Sequence, residues 1–255
     1  IYWSSVEWAY YVEIPQFGFE PFSEDSYAMA TAYGLFHWGI SAWSIYGIPA
    51  IALSIAFYKY NLNSLRLSSS MKGLGIKNFE SSFLGRFIDL IFILATVGAA
   101  GGTIGSYVPM LSSGFTNLIN INNMLYIDIG VICLCVALFG FSVFKGLEKG
   151  IKNLSNCNML LALLFLTFVF ISSDGSKILN SAVSGIHYSV NYFWEMSTLG
   201  ISERSEFAKE WTIFYWAWWV AFGPLVGLFI ARISKGRNLR HCLLYTSPSP
   251  RDYPG

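Results

Sequence analysis

The chain has 255 residues, of which 54% are hydrophobic, 18% aromatic and 12% charged, and its formal net charge is +1. Soluble domains carry about 25% charged residues; here the charges crowd into short stretches between apolar runs of roughly 20 residues, enough to cross a hydrocarbon layer about 30 Å thick. That pattern excludes a soluble domain, and the absence of like-charged blocks argues against a nucleic-acid partner.

In chain order, the sequence opens on the end of an apolar helix, Ile1–Tyr11. Five complete spans follow: Tyr27–Tyr58, Phe83–Pro109, Met124–Phe144, Asn156–Ser172 and Trp211–Ile233. As one helix the first of these would be about 48 Å long, so it must tilt or project from the bilayer. The start, with neither Met nor a signal peptide, reads as a truncation.

The loops set the orientation. On one side they hold Lys59, Arg66, Lys72, Lys77 and Arg86, then Lys145, Lys149 and Lys152, then Arg232, Lys235, Arg237 and Arg240. On the other they hold only Lys177, Arg204 and Lys209. Positive charge collects in the cytoplasm, so the loop with Glu13, Glu20, Glu24 and Asp25 faces outward. Ser172–Glu210, polar with interspersed rings, is expected outside, partly as helices lying on the membrane surface. Residues 241–255 are Ser- and Pro-rich without helical period; they read as a disordered tail or a cloning or sequencing scar, with the scar preferred.

Two aromatic clusters lie inside predicted spans. Trp38, Trp43 and Tyr46 fall at about 0°, 140° and 80° on a regular helix and share one broad face. In the last span, with Trp216 at 0°, Trp218, Phe222 and Trp219 fall at about 200°, 240° and 300°, so three rings share an arc and Trp216 points elsewhere. Several ring faces can hold a cation that has no N–H to donate, such as a trimethylammonium group. Helix packing and interfacial aromatic belts are the alternatives, although Trp43 and Trp219 sit well inside their spans. Gly39, Gly47, Pro49 and Gly223-Pro224 flank the clusters. Broken helices of this kind are where transporters place substrate sites. Gly98, Gly101, Gly102 and Gly105 suggest close helix packing, and Thr96 and Thr103 leave an ion site open as an alternative.

Among intramembrane charges, Asp89 is expected to pair with Arg86, Asp128 lies near a helix end, and Glu7 has no assignable role. His37 is expected to be packed or locally hydrogen-bonded rather than a proton relay. Cys133, Cys135, Cys157 and Cys242 have neither a disulfide framework nor a zinc spacing. There is no phosphate loop, metal-ligand cluster or nucleophile–base pair in the sequence, so no catalytic residues are assigned and an enzyme is not expected.

The string Trp211-Thr212-Ile213-Phe214-Tyr215-Trp216-Ala217-Trp218-Trp219 resembles the signature of the betaine/choline/carnitine transporter family. Phe229–Arg237, Gly146–Asn156 and the Trp38-Gly39…Trp43…Tyr46 pattern resemble the family in the same order, over Ile1 to about Arg240. The resemblance implies an all-α integral membrane protein with a five-plus-five inverted-repeat transporter fold, truncated here to about six transmembrane helices. Residues 1–240 would run from the end of the family's third helix through its eighth, leaving 241–255 outside the transporter domain. It also implies multi-pass insertion in the plasma membrane and secondary transport of a small quaternary-ammonium osmolyte by alternating access. Sodium would be the coupling ion of such a symporter, with an ion site near Thr96, and no other cofactor is expected. A homo-oligomer is a further expectation. The substrate-binding residues it implies are Trp38, Trp43, Tyr46, Trp218 and Trp219, with Phe222 where sodium-coupled betaine carriers often have a third tryptophan. Trp8 follows Glu7 where many members have proline, and Ala100 stands where an ion-site threonine can occur. A carrier of another solute class and a non-transporting osmosensor are the rival readings.

Overall fold

The computed structural model describes residues 2–60, 66–76, 78–119, 124–146, 150, 152–202, 206–234 and 236. The described residues form α1 (Tyr2–Glu13), α2 (Glu24–Trp38), α3 (Ile40–Ser54), α4 (Phe83–Ile119), α5 (Met124–Phe144), α6 (Lys152–Ser172), α7 (Gly175–Asn191), α8 (Phe193–Ser202) and α9 (Phe214–Ile233). Wider π turns extend α3 over Ile55–Lys59 and precede α9 over Ala208–Ile213. Five helical stretches among the described residues are long and apolar enough to cross a membrane, in the order expected. The reading of 241–255 lies outside the described residues.

The chain divides into two compact units, Ile1–Val97 with Ser181–Gly255, and Gly98–Asn180. In the first, the Ser23 hydroxyl caps α2 by accepting from the Ser26 N–H at 3.1 Å, and Glu24 and Asp25 put negative charge at its N-terminal end. The single long helix expected from Tyr27 to Tyr58 is not formed. It is broken at Gly39, where φ is −92° and ψ −139°. A Cβ there would collide with the Leu35 carbonyl oxygen, so the chain can make this bend only without a side chain. At Gly47 and Pro49 α3 continues.

α3 and α9 pack most intimately. A Cβ on Gly227 would stand 3.0 Å from Ala50 N and from the Pro49 C and Cβ, and one on Gly223 would rest on Pro49 Cγ at 3.5 Å. These glycines let the helix axes approach closely, as small residues do in membranes. Farther along, Leu53, Phe57 and Ala231 form a small core, and the Tyr58 hydroxyl donates to the Ala231 carbonyl at 2.8 Å. On the loop side of α4, Asp89 does not take Arg86. It accepts from Arg66 Nε at 2.8 Å, the Ser68 N–H at 2.9 Å and the Ser68 hydroxyl at 2.7 Å. A long-range partner and an N–H at a helix start satisfy more of the carboxylate's lone pairs than a neighbour on the same helix could.

α7 and α8 fall in the stretch expected outside the membrane. In the first unit α7 docks on α2: Ser189 donates to the Ala32 carbonyl at 3.2 Å, and Tyr188 donates to Asp25 at 2.5 Å. This hydrogen bond pushes the Tyr188 phenol up to about 12, with partial burial and the repulsion of the Asp25 charge adding to it.

In the second unit, α4 runs on through Pro109 to Ile119, farther than expected. Membrane helices tolerate proline where neighbouring groups take up the freed carbonyl. Among the described residues nothing beyond the helix itself lies within 4 Å of where a Cβ would sit on Gly98, Gly101, Gly102 or Gly105. α5 and α6 are apolar and largely exposed around their circumference.

Candidate binding site

The break at Gly39 builds the site. In an uninterrupted helix the His37 carbonyl would accept an N–H four residues on. Here it accepts the Trp219 indole N–H instead, at 3.0 Å. The neighbouring Trp38 donates its own indole N–H to both carboxylate oxygens of Glu7 on α1, each at 3.1 Å. Both indoles are therefore held by their N–H edges. Their rings meet edge-on, with centroids 5.1 Å apart and planes at 76°.

Around this pair the rings form one continuous wall. Tyr46 of α3 meets Trp219 at 5.7 Å and 80°. Trp218 stacks beside Trp219 at 6.0 Å. Phe222 follows Trp218 at 6.4 Å. Tyr215 lies under the group, 5.4 Å from Trp38 and 6.0 Å from Trp219, fully buried and with a hydroxyl that has no hydrogen-bond partner among the described residues. Edge-to-face and offset-stacked rings are favoured arrangements, and the wall is a cluster of negative ring faces.

Of the expected site residues, the structure brings together Trp38, Tyr46, Trp218, Trp219 and Phe222. Trp43 is the exception: it is 58% exposed, and among the described ring contacts it touches only Tyr46, at 5.9 Å. The shared face assigned to it assumed a regular helix from Trp38 through Tyr46, and the Gly39 break removes that premise. Trp216 points elsewhere, as expected, and packs on Phe36 at 5.1 Å.

His37 is fully buried and fixed at both ring nitrogens. The Tyr11 hydroxyl lies 3.0 Å from Nδ1 and the Thr212 hydroxyl 3.0 Å from Nε2. Each hydroxyl can donate or accept, so either tautomer is satisfied. One side chain thus ties α1, α2 and the turn before α9. The expectation of a packed histidine holds, with partners far away in sequence rather than local.

Tyr215 was not among the expected residues, yet the sequence carried its signal: on the same wheel it falls at about 260°, between Phe222 and Trp219. Glu7 had a weaker one, as an acidic residue amid aromatics in an apolar stretch. The His37–Thr212 pairing had none.

Thr96 and Thr103 donate their hydroxyls to the carbonyls of Phe92 and Ala99 at 2.8 Å, within α4 itself. No hydrogen bond among the described residues ties Thr96 to a second element.

Two comparisons bear on this arrangement. The family described as "BCCT, betaine/carnitine/choline family transporter" matches residues 1–250. The glycine betaine transporter OpuD of Bacillus subtilis (strain 168) is 36% identical over 224 residues, covering 87% of this chain and 43% of that protein. The chain therefore spans less than half the length of this relative.

Proposed function

The chain belongs to the betaine/carnitine/choline transporter family, and we propose that it forms part of a secondary carrier of small quaternary-ammonium solutes, with the aromatic wall as their binding site. It is a multi-pass membrane protein. The observation that carries the reading is the pair of N–H-anchored indoles, Trp38 and Trp219, flanked by Tyr46, Tyr215 and Trp218.

The physical argument concerns what such a wall can bind. A trimethylammonium group has no N–H, so hydrogen-bond acceptors give it little, and its weak hydration is readily replaced by ring faces. The indole N–H groups, which would favour anions, are turned into protein acceptors instead. Placement beside a broken helix suits alternating access, because a bend at Gly39 lets one half-helix move against the other. Sodium coupling belongs to the same proposal. Toward such a site Thr96 offers a single hydroxyl oxygen.

The test is ligand binding and uptake by the full-length protein. Cells expressing it should accumulate labelled glycine betaine or choline. A desolvated cation–π contact is worth about 2 kcal/mol, so Trp219→Leu should raise the Kd roughly thirtyfold. Trp216→Leu should cost far less, and tert-butylacetate, in which carbon replaces the ammonium nitrogen of glycine betaine, should bind poorly. Equal losses for the two variants, or equal binding of this isostere with its uncharged head group, would overturn the wall as a cation site. Binding without accumulation would instead indicate a sensor.

A further inference from the structure

Two carboxylates are buried among the described residues, Glu7 and Asp89, and they are treated differently by the protein. Asp89 is paired with Arg66. Glu7 is 4% exposed, and among the described residues no Lys or Arg lies within 4.0 Å of it. A carboxylate inside a membrane protein without a counter-charge is expensive and has a reason to be there. The Trp38 indole reaches both of its oxygens at 3.1 Å, and the Tyr11 hydroxyl also hydrogen-bonds to it. Trp219, by contrast, donates to a neutral backbone carbonyl.

We propose that Glu7 is a positioning residue for the cation site, fixing the Trp38 ring by its N–H and setting a negative charge at the ring's edge. The inference rests on the aromatic wall being that site. Two effects follow. The two-oxygen acceptor limits rotation of the indole, so its face is held ready rather than ordered on binding. Donation to an anion also shifts electron density into the ring, because linked polar groups polarise one another, so the charge acts through the Trp38 N–H. Both favour a quaternary ammonium group over a neutral molecule of the same shape. Trp38 thereby differs from Trp219, whose neutral acceptor gives orientation without charge.

The experiment measures glycine betaine and tert-butylacetate affinity on the full-length protein, with a double-mutant cycle. Glu7→Leu removes both acceptor and charge and should raise the glycine betaine Kd about tenfold. Glu7→Gln keeps an acceptor oxygen but loses the charge, and should raise it about threefold without weakening tert-butylacetate, an anion with no cationic centre. Trp38→Phe has no N–H to hold, so adding Glu7→Gln in that background should change the Kd by less than about twofold. Should Glu7→Leu fail to fold, Glu7→Gln and the cycle still decide. Wild-type affinity in Glu7→Gln, or additive losses in the cycle, would overturn the role of Glu7. If that happens while Trp219→Leu still weakens binding and the isostere is still rejected, the wall stands and only the inference about Glu7 fails. If the unmutated protein binds the isostere as well as glycine betaine, both fall together.

Discussion

In α2, α3 and α9, rings and hydrogen-bonding groups are turned toward one another, whereas in α5 and α6 nearly every large apolar side chain is exposed. Both sets are apolar enough to span a bilayer. In a bilayer the two kinds of group behave differently. Lipid tails are as apolar as leucine, so an apolar side chain gains little by leaving them for a neighbouring helix. Polar groups gain a great deal by finding one another there. The first set accordingly contains His37 with its two hydroxyl partners, two anchored indoles and the glycines that let α3 and α9 touch. In α6, by contrast, the Thr167 hydroxyl bonds within its own turn, to the Leu163 carbonyl at 2.8 Å. Specific geometry in this protein is made by polar groups and missing side chains, not by hydrophobicity.

The strongest test of that contrast compares two glycines. Gly39→Ala drives a Cβ into the Leu35 carbonyl, and relieving the clash means undoing the bend that frees the His37 carbonyl for Trp219. The expected cost is about 3 kcal/mol, as for overpacking elsewhere, together with loss of ligand binding. Gly101→Ala meets no described atom within 4 Å. Alanine is the better helix former by up to about 1 kcal/mol, so this change should be neutral or stabilising. Thermal-unfolding midpoints in detergent would show the two moving in opposite directions. Similar shifts would mean that the contrast between the regions is not real.

A smaller effect is expected from removing a polar node. His37→Phe keeps a ring but leaves the Tyr11 and Thr212 hydroxyls buried without their partner, at a cost of about 2 kcal/mol. Thr167→Ala in α6 removes a hydroxyl that bonds only the Leu163 carbonyl of its own exposed turn, at 2.8 Å. Its effect should stay within about 0.5 kcal/mol. Denaturant or thermal stability resolves a difference of that size, and a silent His37→Phe would show that the network is not holding α1 and α2 to α9.

The same contrast explains what the sequence disclosed. Met124–Phe144 was readable to the residue because an unbroken apolar run between polar loops is all that defines α5. The rings of α9 were readable because a regular helix converts spacing into direction, and Trp218, Trp219 and Phe222 do share a face. Trp43 meets the wall only through Tyr46, because that conversion fails across Gly39, where the bend depends on an absent side chain meeting the Leu35 carbonyl. Arg66 rather than Arg86 reaches Asp89 because the loop folds back, and pairings such as His37 with Thr212 join residues with no periodic relation. Local pattern reveals which side chains face one way. It does not reveal which distant group will meet them.

The smallest expected effect lies where α7 meets α2 at the surface. Tyr188 donates to Asp25, and that bond, with burial second, raises its phenol from the ordinary 10.0 to about 12. A raised value means that the folded state holds the proton more tightly than the unfolded chain does. The contribution is therefore complete below about pH 10 and fades as pH rises through about 12, where a tyrosinate would face the Asp25 carboxylate. The Tyr188–Asp25 bond is exposed, so solvent screens the interaction and the effect should be slight. It should nonetheless be specific. The alkaline fall in thermal midpoint, followed from about pH 9 upward, should be shallower in Tyr188→Phe than in the unmutated protein. Lys177 and Asp174 of the second unit, an exposed pair 4.0 Å apart, provide the control, and Lys177→Ala should leave the profile unchanged. If Tyr188→Phe follows the unmutated curve throughout, the α7–α2 contact depends on Ser189 and the close approach of Gly185 to Thr31 instead.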